Sequence, residues 1–522
     1  MQHACIASNL NLEFSTQKMF DQLNITLLSG QVSALFGRNG LGKSLLFRIL
    51  DQSQALDIHY SGQVSWNIQH DYLAQLERLN AENIAQALEV DHLHHAFRRI
   101  ENNTASFDDY ELVENTWDLP QKWQNILENA DLPTDLNFPT EKLSEGQKTK
   151  LALCRLFLKK DHYLLLDEPS NHLDSTSRQW LIESILAHPS GVCLISHDRQ
   201  LLNQVQHIYA LTELGLQHYK GNYEHYIQQH QLHMDALTQS INNEKKELKQ
   251  LKQRQHDSLM KANKRQSKGN ELRDSNSQAK IFLDFKKENA GQSLGKLRAQ
   301  QTRQTDDLKN SLINRQTIVE KIKAQKFEFH LQSTKQGEIL RIYDLKLPHT
   351  ATNKINFALK AGEKIHLKGA NGIGKSTLLK LISTHQRDDI FFSGTCLYLD
   401  QNFSLLNNDL SVIENLALYN SNLTEVEWRN LLGQLRIRRE KALLKLSELS
   451  GGEKLKVALL AMSHYPDGID LLLLDEPENH LDIESRELLS QAISQYQGAV
   501  ILVSHDHFFV EQCEISEEYL IE

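Results

Sequence analysis

Short apolar runs alternate with helix-like segments along the chain, and the same alternation occurs twice. The runs VSALF (32–36) and KIHLK (364–368) each predict a strand that leads into a glycine-rich loop. The segments LLFRIL and TLLKLI that follow these loops predict helices. Further apolar strands end at Asp167 and Asp475. This order of elements predicts an α/β fold in each half of the 522-residue chain.

The two halves carry the same motif blocks in the same order. The pairs are GRNGLGKS (Gly37–Ser44) with GANGIGKS (Gly369–Ser376), DYLAQ with LYLDQ, LSEGQ with LSGGE, YLLLDEPSNHLD with LLLLDEPENHLD, and CLISHD with ILVSHD. A strand, the glycine loop and a helix is the context that a phosphate-binding P-loop requires. One such loop could arise by chance, whereas this ordered set indicates two copies of one nucleotide-binding unit.

The glycine loops are predicted to hold phosphate groups on backbone N–H groups at a helix amino end. Lys43 and Lys375 would reach the β and γ phosphates, and Ser44 and Ser376 would offer a hydroxyl to Mg²⁺. The predicted loop residues are Gly37, Arg38, Asn39, Gly40, Leu41, Gly42, Lys43, Ser44, Gly369, Ala370, Asn371, Gly372, Ile373, Gly374, Lys375, Ser376 and Thr377.

The acidic motif supplies the predicted chemistry of hydrolysis. Asp167 and Asp475 end their strands and would hold the metal. Glu168 and Glu476 would orient and deprotonate the attacking water. His197 and His505 each lie 30 residues beyond the aspartate of the same half, at the end of another strand, and are expected near the γ-phosphate.

Together these motifs resemble the ATP-binding cassette superfamily. The resemblance implies that two cassettes pair head to tail, so that Lys43 shares its ATP with Ser450 and Gly452, and Lys375 shares its ATP with the LSEGQ block. It adds these nucleotide-binding residues: Ser144, Gly146, Gln147, Ser450, Gly451, Gly452 and Glu453. It also adds Gln75 and Gln401 to the Mg²⁺ site.

Two details distinguish the halves. Glu145 stands where that superfamily normally has glycine, and a negative charge near a γ-phosphate predicts a weaker or slower second site. The aromatic side chain that stacks on adenine could be Phe14 or Phe20 in the first half, and Tyr343 or His349 in the second.

The segment between the halves predicts a helical hairpin. No proline occurs from Ser190 to Leu347, and apolar residues recur at heptad-like spacing. These residues are Met234, Leu237, Ile241, Leu248 and Leu251, then Leu308, Leu312, Val319 and Ile322. Two antiparallel helices of about 35 residues would reach roughly 50 Å.

The hairpin is basic although the whole chain has a net charge of −10. Residues 244–326 hold 21 Lys and Arg against 10 Asp and Glu, and the predicted tip, 261–287, holds eight against three. A basic tip suits a phosphate backbone, and charge alone does not separate RNA from DNA. The alternative is a solvated hairpin that only sets the spacing of the cassettes.

The first half is about 20 residues longer than the second, near residues 85–122. This excess is either a loop variation or an added helical arm. The predicted domains are a first cassette at 1–230 that includes this segment, a hairpin at 231–326 and a second cassette at 327–522.

The blocks EPSNHLD, EPENHLD, both SHD boxes and YKGNYEHY resemble the ABC-F family. That resemblance implies a ribosome-associated ATPase that binds ATP and Mg²⁺. Its partners would be rRNA, the P-site tRNA reached by the hairpin from the E site, and the L1 stalk region reached by the arm. It also implies a monomer with intramolecular cassette pairing.

The composition fits a cytoplasmic location. The sequence has neither a membrane-spanning run nor a secretory signal, and its five scattered cysteines fit a reducing compartment. We therefore predict an ATP-dependent translation factor without membrane or DNA partners. A ribosome-protection factor for antibiotic resistance is the main alternative, and a DNA-transaction ATPase or a transporter motor subunit is less favoured.

Overall fold

The computed structural model divides into two compact units. One unit combines Met1–Tyr223 with Ala324–Glu522, and the other is Glu224–Lys323. The domain boundaries stated above stay a prediction. The described residues are 2–14, 17–52, 58–74, 81–171, 173–274, 299–300, 302–317, 319, 336–347, 354–370, 372–384, 387–479, 481–515 and 517–521.

The amino-terminal part of the first unit alternates strands and helices. Its described elements are β1 (His3–Phe14), β2 (Gln17–Leu28), β3 (Val32–Gly37), α1 (Lys43–Asp51), β4 (Tyr60–Trp66), β5 (His70–Leu73), α2 (Ile84–Ala87), α3 (Asp91–Glu101), α4 (Phe107–Val113), α5 (Leu119–Asn129), α6 (Glu145–Leu158), β6 (Tyr163–Asp167), α7 (Ser175–Leu186), β7 (Val192–Ile195), α8 (Arg199–Leu202), β8 (His207–Thr212) and β9 (Gly215–Lys220). The described strands form an antiparallel sheet β2–β1–β4 and a second sheet β5–β6–β7–β3–β8–β9. In the second sheet β9 runs antiparallel to β8, and the other pairs are parallel.

The helical unit follows. It contains α9 (Tyr223–Asp274), whose first residue belongs to the first unit, and α10 (302–317). Gln255 Nε2 donates to Thr305 Oγ1 at 2.6 Å, and Arg315 Nε lies 3.3 Å from Glu244 Oε1, so the two helices pack antiparallel. Ile241 of the predicted apolar seam is buried. Helix α9 continues to Asp274, so residues 261–274 of the predicted tip are helical. Residues 275–287 of the tip lie outside the described residues, so the complete hairpin stays a prediction.

The carboxy-terminal part of the first unit repeats the α/β pattern. Its described elements are β10 (Glu338–Leu345), β11 (Ile355–Lys360), β12 (Lys364–Lys368), α11 (Lys375–Thr384), β13 (Ile390–Phe392), β14 (Cys396–Asp400), α12 (Val412–Tyr419), α13 (Glu425–Gln434), α14 (Gly451–Ser463), β15 (Leu471–Asp475), α15 (Ile483–Gln495), β16 (Ala499–Val503), α16 (His507–Gln512) and β17 (Glu517–Leu520). The described strands form an antiparallel sheet β11–β10–β13 and a parallel sheet β14–β15–β16–β12–β17.

The core of each half has two parts. The first lies between the two sheets and the helix after the glycine loop, where Phe47 of α1 is fully buried. The second lies among helices, around Trp123 in the first half and Trp428 in the second. Full burial of such side chains stabilises the fold by about 1.5–3 kcal/mol each.

The parallel register places the predicted chemistry at one sheet edge. Asp167, the last residue of β6, pairs with Ile195 of β7, and His197 follows two residues later. Asp475 and Val503 pair in the same way in the second half. Because parallel strands end at a common edge, each aspartate, glutamate and histidine converges on the glycine loop after β3 or β12.

The predicted α/β fold with two P-loop units is confirmed. Within the described ranges, no helix combines the length and the apolar character needed to cross a bilayer.

Candidate functional site

The first glycine loop lies between the end of β3 and the start of α1. Helix α1 begins at Lys43 and follows Gly42, whose φ of 87° lies in the left-handed region. A Cβ at Gly42 would come within 3.1 Å of Phe20 Cζ and 3.2 Å of Met19 Cγ, so both backbone and packing favour glycine. The loop therefore wraps the amino end of a helix, where unpaired N–H groups attract anions.

The two P-loop lysines fold back onto their own loops. Lys43 Nζ donates to the carbonyl of Gly37 at 2.6 Å and to that of Arg38 at 3.1 Å. Lys375 Nζ donates to the corresponding carbonyls of the second loop at 2.8 and 3.1 Å. Burial lowers the pKa of both ammonium groups. A phosphate in the loop would give each cation a charged partner in place of these carbonyls.

Carboxylate and hydroxyl oxygens meet at the ends of β6 and β15. Ser376 Oγ donates to Asp475 Oδ1 at 3.1 Å, and Tyr398 OH donates to Asp475 Oδ2 at 2.8 Å. Tyr72 OH donates to Asp167 Oδ2 at 3.4 Å. Burial raises the pKa of Asp167, so a nearby cation would favour its ionised form. These oxygen donors fit the ligand preference of Mg²⁺.

The predicted catalytic glutamates have an unusual backbone. The φ angles of Glu168 and Glu476 are 51° and 48°, in the left-handed region that costs a non-glycine residue about 1–3 kcal/mol. Glu168 Oε1 lies 3.5 Å from His197 Nε2, and Glu476 Oε1 lies 3.4 Å from His505 Nε2. Strain at the same residue in both halves is typical of a functional position.

Burial shifts the pKa of three of the groups in these pairs. It raises the pKa of Glu168 and lowers the pKa of His197 and of His505. A carboxyl with a raised pKa is a stronger base once ionised. His197 Nε2 also lies 3.2 Å from Asn39 Oδ1, which ties this histidine to the glycine loop. Glu168 can therefore accept a proton from a water molecule.

The first of two composite cavities, site A, contains the first glycine loop. It has a volume of about 490 Å³. Its lining from the first half includes Asn39, Gly40, Gly42, Lys43, Ser44, Asp167, Glu168 and His197, and its lining from the second half is Ser450, Leu481 and Arg486.

Site B contains the second glycine loop and has a volume of about 660 Å³. Its lining from the second half includes Gly372, Gly374, Lys375, Ser376, Thr377, Glu476 and His505, and its lining from the first half includes Ser144, Glu145, Gly146, Gln147 and Arg178. Each cavity therefore combines the glycine loop of one half with the signature block of the other.

The signature blocks begin helices α6 and α14. Ser144 Oγ accepts from the N–H of Gln147 at 3.2 Å, and Gln147 Oε1 accepts from the N–H of Ser144 at 3.0 Å. Ser450 and Glu453 form the same capping box. A Cβ at Gly452 would come 2.5 Å from Ser485 Oγ in the first turn of helix α15, so a larger residue there would displace that hydroxyl. Each serine thus marks a helix amino end that faces the opposite cavity.

Some of the predicted site residues have other contacts than expected, and two of them, Gln75 and Asn371, lie outside the described residues. Gln401 Oε1 lies 3.5 Å from Asn479 Nδ2, which also donates to a Glu476 oxygen at 2.7 Å. The side chains of Leu41 and Ile373 pack against the core, so these residues would contribute backbone N–H groups only.

The expected adenine-stacking aromatic is corrected at one position. Phe20 is only 2% exposed and packs in the core, so its ring cannot stack on a base. Its neighbour Met19 lines site A instead. Tyr343 is 72% exposed, whereas the Phe14 side chain and His349 lie outside the described residues.

Two pairs of residues at the sites were missed from the sequence. Tyr72 and Tyr398 contact the metal-site aspartates, and Arg178 and Arg486 line the opposite cavity. Each pair stands at matching positions in the two halves: the tyrosine three residues before the DYLAQ or LYLDQ glutamine, and the arginine four residues after the last aspartate of the acidic motif. A residue-by-residue comparison of the halves would have found both pairs.

Comparison with known proteins places the cassettes in a family. The family model described as "ABC transporter" matches residues 20–171 and 352–479, more than half of the chain. The ribosome protection protein VmlR of Bacillus subtilis is 26% identical over 98% of this chain and 86% of its own length. The ABC transporter F family member 2 of Arabidopsis thaliana is 28% identical over 92% of this chain and 71% of its own length.

A solved structure shares the fold. The archaeal ribosome recycling factor aABCE1, crystallised with the ribosomal stalk protein aP1, aligns with a TM-score of 0.51 over 98% of this chain and 87% of its own. At 17% identity this likeness concerns the fold alone. The family match covers both glycine loops and both aspartate–glutamate pairs of the composite cavities. The chain belongs to the ABC family and, within it, is an ABC-F ATP hydrolase with two ATP-binding cassettes in one polypeptide.

Proposed function

We propose that this ATPase is a cytoplasmic translation factor whose two cassettes close on ATP at the ribosomal E site. The observation that carries the proposal is the composite character of sites A and B. An ATP bound to either glycine loop would also face a helix amino end of the other cassette. ATP would therefore join the cassettes, and its hydrolysis would release them.

The free energies are sufficient for such a clamp. Shifting a two-state equilibrium from 1:99 to 99:1 requires about 5.5 kcal/mol of differential binding. A hydrogen bond to a charged group contributes about 1.5–3 kcal/mol. A few bonds from Ser450 and Ser144 and their helix N–H groups to the two γ-phosphates would supply the difference.

Within each site we assign the groups to separate tasks. Ser44 and Asp167 would hold Mg²⁺ in site A, and Ser376 and Asp475 in site B, with Gln75 and Gln401 as the further predicted ligands. The metal would neutralise phosphate charge. Glu168 and Glu476 would take the proton from water, and the neighbouring histidines would orient those carboxylates.

The helical unit would transmit closure to RNA. Helices α9 and α10 pack side by side, and Lys261–Lys287 is rich in Lys and Arg. Such a basic element suits the phosphates of the P-site tRNA and rRNA. The additional segment of the first cassette, which contains α3 and α4, would contact the L1 stalk region.

The names of the relatives support a ribosomal role and favour a second candidate function. VmlR is a ribosome protection protein and is similar along nearly the whole chain. This chain would then displace an antibiotic by the same clamp and the same helical element. Stimulation of ATP hydrolysis by ribosomes, and not by DNA or membranes, would set either ribosomal role apart from a DNA-transaction ATPase or a transporter motor.

The decisive experiment uses the double variant E168Q/E476Q, which should bind ATP but not hydrolyse it. We expect it to co-sediment with ribosomes on a sucrose gradient in the presence of ATP and to stall translation. The matched control K43A/K375A should bind no nucleotide and stay at the top of the gradient. Migration of the glutamine variant away from ribosomes would contradict the proposal.

A second experiment tests the helical element. Deletion of Lys261–Lys287 should leave ATP binding intact and abolish the effect on translation. Unchanged translational activity of the deletion variant would refute the role assigned to this segment.

A further inference from the structure

Two matching arginines lie at the start of helices α7 and α15, beside the cassette interface. Arg178 and Arg486 have mostly buried side chains, with 20% and 18% exposed. Neither belongs to the glycine loop, the signature block or the aspartate–glutamate pair.

Arg486 contacts both cassettes. Its Nη1 lies 3.2 Å from Asp506 Oδ2 of its own cassette, and the same atom donates at 3.4 Å to the backbone carbonyl of His197 in the other cassette. Its Nε donates at 3.2 Å to the carbonyl of Leu481, which fixes the guanidinium plane. One planar group thus joins a carboxylate and a carbonyl that belong to different cassettes.

Arg178 repeats this arrangement in the opposite direction. Its Nε lies 3.6 Å from Asp198 Oδ2 of its own cassette, and its Nη1 donates at 3.5 Å to the carbonyl of His505 in the second cassette. Both arginines also line the opposite cavity, Arg178 in site B and Arg486 in site A.

These contacts close into a ring. Asp198 directly follows His197, and Asp506 directly follows His505. The path runs from His197 through Arg486 to Asp506 and His505, and from His505 through Arg178 to Asp198 and back to His197.

The aspartates in the ring are rigidly held. Asp198 Oδ1 accepts from the N–H groups of Gln200 and Leu201, and Asp506 Oδ1 accepts from those of Phe508 and Phe509. Because these bonds cap helices α8 and α16, a shift of one histidine moves a helix end as well. The ring is therefore a contiguous network of hydrogen bonds, ion pairs and peptide links that joins the two sites.

We infer that Arg178 and Arg486 are positioning residues that couple hydrolysis at site A to hydrolysis at site B. Each arginine holds the histidine of the opposite cassette at its γ-phosphate position. A change in one site displaces the aspartate beside its histidine, moves the attached arginine, and so alters the histidine of the other site. This coupling does not require the ribosome, and its failure would leave the proposed function intact.

The test combines E168Q, which inactivates site A, with R178Q/R486Q, which removes the ring. The measured quantity is the rate of ATP hydrolysis in the absence of ribosomes. In the native background, E168Q should lower hydrolysis at the remaining site B by at least about fivefold. The reference is the activity of site B in the native protein, taken as the total activity minus that of E476Q. In the R178Q/R486Q background, the same change should lower site B less than about twofold. The Hill coefficient for ATP should fall to about 1 in R178Q/R486Q.

A matched control separates coupling from simple adhesion of the cassettes. Arg199 forms an ion pair with Glu487 across the same interface, 2.5 Å apart, without donating to either histidine carbonyl in the described contacts. R199Q should keep the native response to E168Q. If R178Q/R486Q fails to fold, as judged by thermal unfolding, R178K/R486K replaces it, since lysine keeps the charge but cannot bridge two acceptors in one plane. An equal effect of E168Q in the native and ring variants, or an equal loss of coupling in R199Q, would overturn the inference.

Discussion

Sites A and B contain the same motifs, yet the cassette interface beside them differs. Next to site A, Arg38 of the first glycine loop forms a two-pronged ion pair with Glu484 of the second cassette, with Nη2 donating to Oε1 at 3.2 Å. The corresponding positions at site B are Ala370 and Thr176, which carry no charge. Site A is therefore joined by ionic contacts that site B cannot form.

A second ion pair shows the same bias. Arg199 pairs with Glu487 on the site A side, whereas His507 and Gln179 stand at the corresponding positions on the site B side. The comparison teaches that motif identity does not make two composite sites equal, because neighbouring residues set the strength of each closure.

The largest effect is expected when the single variants of the two catalytic glutamates, E168Q and E476Q, are compared. E168Q should lower total ATP hydrolysis at least about fivefold more than E476Q. Site A is expected to be the faster site, because ion pairs hold the two cassettes together beside it and because Glu145 lies in site B. Steady-state phosphate release by the two variants measures this ratio. Equal losses would show that the two sites turn over alike.

The second prediction concerns a buried carboxyl that only the second cassette has. Glu478 corresponds to Ser170, is 3% exposed, and accepts a hydrogen bond from Ser504. Burial raises the pKa of Glu478 to about 7. The folded protein therefore keeps the proton that the unfolded chain releases near pH 4.5, so stability falls as pH rises from about 4.5 to 7.

E478Q should remove this penalty. At pH 8 the free energy of unfolding of the variant should exceed that of the native protein by up to roughly 3 kcal/mol, and the difference should vanish below pH 4.5. Thermal or denaturant unfolding at pH 5 and pH 8 measures it. S170A is the matched control in the first cassette, and its effect should not change with pH.

The third prediction tests the ion pair beside site A. A double-mutant cycle of R38A and E484A should give a coupling energy of about 1–2 kcal/mol for ATP-dependent closure, because both groups are largely buried. Distance measurements between labels on the two cassettes would report closure. T176A should have little effect, and A370R/T176E should tighten site B; no gain in that variant would weaken the explanation for the inequality.

The smallest effect is expected for Glu145. The Glu145 carboxylate forms an ion pair with Lys148, whose Nζ lies 2.8 Å from Glu145 Oε1, and the Glu145 side chain is largely exposed. Both the ion pair and the solvent reduce the electrostatic effect of Glu145 on a bound phosphate. In the E168Q background, E145G should raise hydrolysis at site B about threefold. E145Q separates charge from size: it should give most of the gain if charge is responsible. If neither variant raises hydrolysis, the slower turnover of site B would be explained by the missing interface ion pairs alone.

The chemical parts of the sites could be predicted from the sequence because their function depends on short local patterns. Gly42, Lys43 and Asp167 follow strands of recognisable apolar character, and the repeat placed their partners in the second half. Phe20 was misjudged as a stacking residue because its aromatic character is equally suited to the core, and only packing distinguishes the two.

The sequence by itself determined two P-loop cassettes, their catalytic residue types and a basic helical segment, since period, spacing and repetition are local properties of the chain. The tertiary structure decided the strained backbone of Glu168 and Glu476, the arginine ring and the unequal ion pairs. Arg38 and Glu484 are 446 positions apart, and no local pattern reports a contact over that separation. Such contacts depend on how two folded surfaces pack, because geometry at an interface is set only after both cassettes have formed.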